Sequence, residues 1–274
     1  MVTKRRALSV IGGLAFAFST IIFAPLGVFS VITELITLLA FNEFLWMYHV
    51  NDDIGLYTIS MAVFAIQSIA FLFPPLRSPG GALTLTPLTI LTIALITQQI
   101  EEKNFGQILV ILLGTAYVSF LLYYLVLLRA MPDGRELMIV LAIGTFGRNL
   151  GALVSGHLIR RGHTMLPKVS PRKTYEGTVG GLVFTLLIVS LSGHWLLPVL
   201  NLGDLIAISF LIGTLGQVGD LVESWLKRNA SVINSGQILP GQGGILDSVD
   251  SLIFTAPALY FYIVIRMSVA GLHV

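Results

Sequence analysis

Long apolar stretches recur along the chain, separated by short polar breaks. This is the pattern of helices that cross a bilayer, not of helices with one wet face. Stretches of about 20 mostly apolar residues, the length a span requires, fall at roughly 7–27, 29–47, 56–75, 82–98, 106–128, 137–157, 178–199, 204–226 and 252–271. The fold class expected from this pattern is all-α: a polytopic transmembrane bundle of about nine spans, with every backbone polar group satisfied inside its own helix. The break between the first two stretches is weak, and 82–98 is short. Met1–Arg6 followed by an apolar run from Ala7 has the outline of a signal peptide. That run continues past Phe29, well beyond the roughly 7–15 residues of a signal-peptide core, so an uncleaved first span is expected.

Loop charges orient the bundle, because Lys and Arg gather on the cytoplasmic side. With Lys4, Arg5 and Arg6 inside, the segment after the sixth span is also inside, and it carries Arg160, Arg161, Lys168, Arg172 and Lys173. The segment after the eighth span begins with Lys227 and Arg228, whereas the turn from Pro198 to Gly203 between them is uncharged, as an outside turn should be. Arg129 and Arg135 fall outside on this scheme, and Arg266 near the end of the last span can snorkel. The N-terminus is therefore expected to be cytoplasmic.

Composition agrees and removes other classes. Hydrophobic residues make up 55% of the chain and charged residues 11%, against about 25% charged in soluble domains. Mean hydropathy is +0.88. A net charge of +2 does not suggest a nucleic-acid binder. With no cysteine there is neither a disulfide framework nor a thiolate metal site. His49, His157, His163, His194 and His273 are scattered and form no His-x-x-x-His pair, so metal chemistry would rest on carboxylates. One membrane domain, 1–274, is expected. Within it, 1–136 is plain apolar span and 137–274 carries the polar signals. Glu43, near the end of the second span, reads as an interfacial carboxylate.

Three constellations carry candidate chemistry. Ser170-Pro171-Arg172-Lys173-Thr174-Tyr175-Glu176-Gly177 puts a cationic pair just before a span. Arg clamps phosphate oxygens and Lys acts as a point charge, with Glu176 placed to orient either one. The same pair is also what an ordinary positive-inside flank would contain. Asp220, Glu223 and Lys227 share a helix face at i, i+3 and i+7 near the end of the eighth span. Carboxylates in a span are functional candidates by default, although Glu223 and Lys227 would also make a good i,i+4 pair. Pro240-Gly241-Gln242-Gly243-Gly244-Ile245-Leu246-Asp247-Ser248-Val249-Asp250-Ser251 is a Gly-rich turn whose amides at Gly243 and Gly244 are candidates to meet an anion, followed by Asp247 and Asp250 on one helix face. Helix N-capping alone would account for one of these two Asp residues. Read from the residues alone, the chain is a membrane enzyme or transporter with a cytoplasmic-side pocket of carboxylates, cations and a Gly-rich turn. That set suits Mg²⁺-assisted chemistry on a phosphorylated lipid or nucleotide.

The stretch Gly219-Asp220-x-x-Glu223-Ser224-x-x-Lys227-Arg228, then Leu239-Pro240-Gly241-x-Gly243-Gly244-Ile245-Leu246-Asp247-x-x-Asp250-Ser251, resembles the signature of the phosphatidate cytidylyltransferases, the CDP-diacylglycerol synthases. Ser170-Pro171-Arg172-Lys173-Thr174-x-Glu176-Gly177 resembles their upstream motif, and the specific likeness spans roughly 144–255. The resemblance implies that CTP and phosphatidic acid, or a related lipid phosphate, form a CDP-lipid and pyrophosphate with Mg²⁺ and a second cation. It assigns metal ligation to Asp220, Asp247 and Asp250, which with Lys227 form the expected catalytic set. Phosphate contact falls to Arg172, Lys173, Lys227 and Arg228, and orientation to Glu176 and Glu223. The expected setting is a bacterial or archaeal plasma membrane, with membrane lipid as a partner, a second copy of the chain as a further candidate partner, and no nucleic acid.

The sequence departs from the family pattern. Asn149 stands where Asp is usual, Ile233 and Asn234 where Lys-Asp is usual, Gln242 for His and Ser248 for Arg. Charges are thereby lost while the surrounding Gly and Pro residues remain. Two further functions therefore stay open at this level: a family member with impaired or no catalysis that binds lipid, nucleotide or a membrane partner, and a small polytopic transporter, whose Gly-interrupted spans also carry carboxylates.

Overall fold

The computed structural model describes residues 2–72, 87–92, 95, 102–159, 163–241 and 243–269, with side chains from Ile11 onward except at 72 and 102–104. Helices α1 (Val2–Phe23), α2 (Leu26–Met47) and α3 (Ile54–Leu72) are followed by α4 (Glu102–Gly114). A π-helical segment (Thr115–Phe120) continues α4 into α5 (Leu121–Ala130), and α6 (Gly134–Leu158) follows. A hairpin of β1 (Thr164–Leu166) and β2 (Ser170–Thr174) leads into α7 (Tyr175–Leu196), α8 (Leu202–Asn229) and α9 (Leu246–Val269).

The chain is an integral membrane protein built as an all-α polytopic bundle. Among the described residues seven helices are long and apolar enough to cross a membrane, from Leu26–Met47 through Leu246–Val269, and Ile11–Phe23 is a shorter apolar helix. The weak break between the first two expected spans falls at Ala24-Pro25, and Pro25 precedes the first turn of α2, where its missing N–H costs nothing. The expected span 82–98 lies largely outside the described residues. The basic segment after α6 forms an antiparallel hairpin pairing Thr164 with Thr174 and Leu166 with Ser170. Pro171 favours extended backbone at Ser170, and the hairpin projects Lys173 toward the helices.

Packing is closest where side chains are smallest. A side chain on Gly151 of α6 would meet the Gly180 carbonyl oxygen at 2.8 Å, and one on Gly181 of α7 would meet that of Arg148 at 2.9 Å. The two backbones therefore touch, as small residues permit in membrane bundles. Phe41, Phe44 and Leu45 of α2 and Leu122 and Leu128 of α5 are fully buried. Tyr124 of α5 packs edge-on against Tyr260 of α9 at 5.2 Å between centroids, which joins the N-terminal half to the last helix.

Polar groups collect at the two ends of the bundle. At one end Arg129 donates to the Ala24 carbonyl at 3.2 Å. There too Asp204, locked to Asn201 by a capping box at the start of α8, accepts from Tyr262 Oη and Arg266 Nε, both at 2.9 Å. Arg266 is thus held by a buried carboxylate from α8. The other end holds the constellations read from the sequence.

Candidate active site

Arg148, 2% exposed, is the centre of this end. It lies two-thirds of the way along α6, among residues that the sequence reading passed over. Its Nη1 donates to Gln217 Oε1 at 2.9 Å, and its Nη2 reaches Asn149 Oδ1 at 2.7 Å, Asp220 Oδ2 at 2.7 Å and Ser251 Oγ at 2.8 Å. A buried guanidinium persists only with such a set of acceptors. Asn149, one of the departures, is thereby a neutral partner of Arg148. The hairpin delivers Lys173, 25% exposed, to Asp220 at 3.3 Å. Ser251 Oγ donates to Asp220 Oδ1 at 2.5 Å and lies 3.1 Å from Asp250 Oδ1, and Asp250 is itself within hydrogen-bond reach of Asp220. Helices α6, α8 and α9 and strand β2 thus converge on one carboxylate pair.

A second cluster lies beside the first. Lys227 Nζ sits between Glu223 Oε2 at 2.6 Å and Asp247 Oδ1 at 2.5 Å. The i,i+4 pair read from the sequence is present, and Asp247 joins it from α9. Asp247 Oδ2 accepts from the amides of Ser235 at 3.0 Å and Gly244 at 2.8 Å and lies 3.1 Å from Ser235 Oγ. Gly243, at φ +116°, makes the turn possible, and a side chain there would strike Asp247. Glu43 reaches in from α2, and its carboxylate accepts from the amides of Ile245 and Leu246 and from Ser235 Oγ, each at 2.9 Å. The reading of Glu43 as a plain interfacial carboxylate is therefore overturned, because it is buried against the Gly-rich turn.

Several expected roles change with this geometry. Gly243 N–H bonds to the Leu239 carbonyl at 3.2 Å, and Gly244 N–H bonds to Asp247. With the Ile245 and Leu246 amides on Glu43, the amides of residues 243–246 are all satisfied internally and are not free for phosphate. Glu176 orients neither Arg172 nor Lys173. Its carboxylate is taken by His163, at 2.8 Å to Nδ1 and 2.9 Å to the backbone N–H, which ties the start of the hairpin to α7. Arg228 donates to the carbonyls of Val169 at 3.3 Å and Val232 at 2.9 Å, so it braces two loops. Arg172 is exposed and makes no ion pair among the described residues. Ile233 is 76% exposed, and Ser248 is exposed with its hydroxyl on the Gly244 carbonyl at 3.3 Å. Gln242 lies outside the described residues.

The expected convergence of Asp220, Asp247 and Asp250 on one cation is not assembled. Asp247 is saturated by Lys227, Ser235 and Gly244, and no group of three or more His, Asp or Glu side chains is arranged to hold a metal among the described residues. The donor chemistry nonetheless suits a hard cation. Asp220 and Asp250 touch, and Glu223, 1% exposed, has its Oε1 buried with no hydrogen-bond partner. Tyr117, in the π-helical segment, has a buried hydroxyl also lacking a partner. Sequence signals for Arg148 existed, since an ionisable residue inside an apolar span is a site candidate. Tyr117 carried none, being one aromatic among many.

The profile of the cytidylyltransferase family matches residues 4–266. The chain is 32% identical over 231 residues to the phosphatidate cytidylyltransferase of Staphylococcus haemolyticus, covering 82% of this chain and 85% of that one. It is 30% identical over 295 residues to the phosphatidate cytidylyltransferase of Synechocystis sp., covering 97% and 98%. A shorter stretch of 99 residues is 48% identical to the uncharacterized protein YnbB of Escherichia coli, 36% of this chain and 33% of that one.

Proposed function

The chain belongs to the cytidylyltransferase family, and we propose that it is a membrane-embedded phosphatidate cytidylyltransferase that joins CTP to phosphatidic acid. A phosphate oxygen of the lipid forms a bond to the α-phosphorus of CTP. The bond from that phosphorus to the oxygen bridging to the β-phosphorus breaks, CDP-diacylglycerol forms, and pyrophosphate leaves with the electron pair. Such a transfer asks the protein for positioning and charge neutralisation and for no covalent nucleophile.

The observation that carries this reading is the meeting of Lys173, Arg148, Asp220 and Asp250 at one end of the bundle. A lipid headgroup resting at the bilayer surface and a nucleotide arriving from water would both reach that end. Arg172 and Lys173 bind phosphate oxygens, Lys173 exchanging part of its contact with Asp220. Asp220 and Asp250, with the open oxygen of Glu223, would hold Mg²⁺, which supplies positive charge against the polyphosphate. Lys227 holds Asp247 and Glu223 in place. The basic hairpin supports a cytoplasmic placement of this end.

Purified protein incubated with labelled CTP, phosphatidic acid and Mg²⁺ is expected to yield CDP-diacylglycerol and pyrophosphate in equal amounts. Folded protein that yields neither would overturn the reading. Because the chain has no cysteine, single cysteines at Ser170 and Asn201 test the side directly: only the first should label from the cytoplasm, and labelling of both from one side would defeat the topology.

A further inference from the structure

Glu43 belongs to the half of the chain that contains no signature motif, yet it is 7% exposed and its hydrogen-bond partners among the described residues are neutral. The Ile245 and Leu246 amides it accepts from stand at the start of α9, where N–H groups lack intrahelical partners and the helix end is electropositive. The fit is close: a side chain on Gly236 or Gly244 would collide with the Glu43 carboxylate. Ser235 Oγ lies within reach of both Glu43 and Asp247, so the two carboxylates meet at the same turn. The other oxygen of Asp247 is on Lys227. A continuous chain of contacts thus runs from α2 through Ser235 and Asp247 to Lys227 and Glu223.

We infer that Glu43 is a positioning residue of the transferase site: an internal anion that fills the N-terminus of α9, closes the Gly-rich turn and fixes Asp247 and Lys227. Substrate phosphates are then met by side-chain cations and not by the turn amides. The inference rests on the transferase reading. Its physical basis is that a buried carboxylate is stable only when donors satisfy it, and charge-assisted bonds to backbone N–H groups are among the stronger ones.

The test compares full-length wild type with Glu43→Gln and Glu43→Ala. It measures kcat, KM for CTP, and hydrogen exchange of peptides covering 235–247. Glu43→Ala should lower kcat by about 10- to 100-fold, as loss of a supporting residue typically does, while changing KM for CTP by less than roughly threefold, since no uniform binding contact is removed. Exchange should accelerate locally at Ile245 and Leu246. Glu43→Gln, which keeps one acceptor oxygen and the shape, should recover part of kcat and part of the protection. A lower KM for CTP in Glu43→Ala would show instead that Glu43 competes with substrate phosphate for the turn. Unchanged kcat with only a lower melting temperature would reduce it to a structural residue, and unchanged exchange at 244–247 would overturn the positioning outright. If wild type makes no CDP-lipid, the transferase reading fails by itself, and the exchange measurement still decides whether Glu43 holds the turn.

Discussion

Asp220 and Asp247 are the same residue type in one signature, but their surroundings differ. Asp220 is met by side chains brought from separate elements, Arg148 of α6, Lys173 of β2 and Ser251 of α9, and it touches a second carboxylate. Asp247 is met mainly by its own loop, through the amides of Ser235 and Gly244, and by Lys227. Side-chain cations can be redirected to a substrate phosphate, whereas amides that close a turn cannot be released without opening it. On the proposed transferase reading, the Asp220 cluster is the chemical half of the site and the Asp247 cluster its frame.

Breaking the chemical half should give the largest effect. Asp250→Asn or Asp220→Asn should lower CDP-lipid formation by about 10³-fold, the scale of losing a key charge contact in a transition state, with the folded state retained. An assay showing near-normal turnover in either would place the chemistry elsewhere. Arg148→Met should destabilise the protein by about 3–5 kcal/mol, because Asp220 loses its buried partner. Unfolding in detergent measures this, and a loss under about 1 kcal/mol would show that Lys173 alone compensates Asp220. In the frame, Asp247→Asn should cost about 1–3 kcal/mol of stability, the range for unpairing a buried polar group, together with part of the activity. If it abolishes turnover with stability intact, Asp247 belongs to the chemical half. The smallest change expected is a gain. Ile233, Asn234 and Ser248 are exposed, so Ser248→Arg and Ile233→Lys add cations without disturbing packing, and Asn234→Asp and Gln242→His complete the family pattern. These changes should raise turnover about tenfold, roughly 1.4 kcal/mol of barrier. A slower quadruple variant would show that the present residues form a different working arrangement.

The amino-acid sequence by itself determined that this protein is a helical membrane bundle, because some 20 apolar residues in a row admit few alternatives in a bilayer. It also marked the candidate segments, because Asp220, Lys173, Asp247 and Asp250 stand out against an apolar background. Which of these groups remain available was decided only by tertiary structure. Hydrogen-bond capacity is finite, and contacts remote in sequence consume it: Glu43 reaches Leu246 from 203 positions away and occupies amides that look free in the sequence, while His163 claims Glu176. Arg148 stands out in the sequence as a charge inside an apolar span, but nothing local to it specifies its partners, Asp220 on α8 and Ser251 on α9. Periodicity and composition are properties of neighbours along the chain, and the pairing of buried charges is a property of neighbours in space.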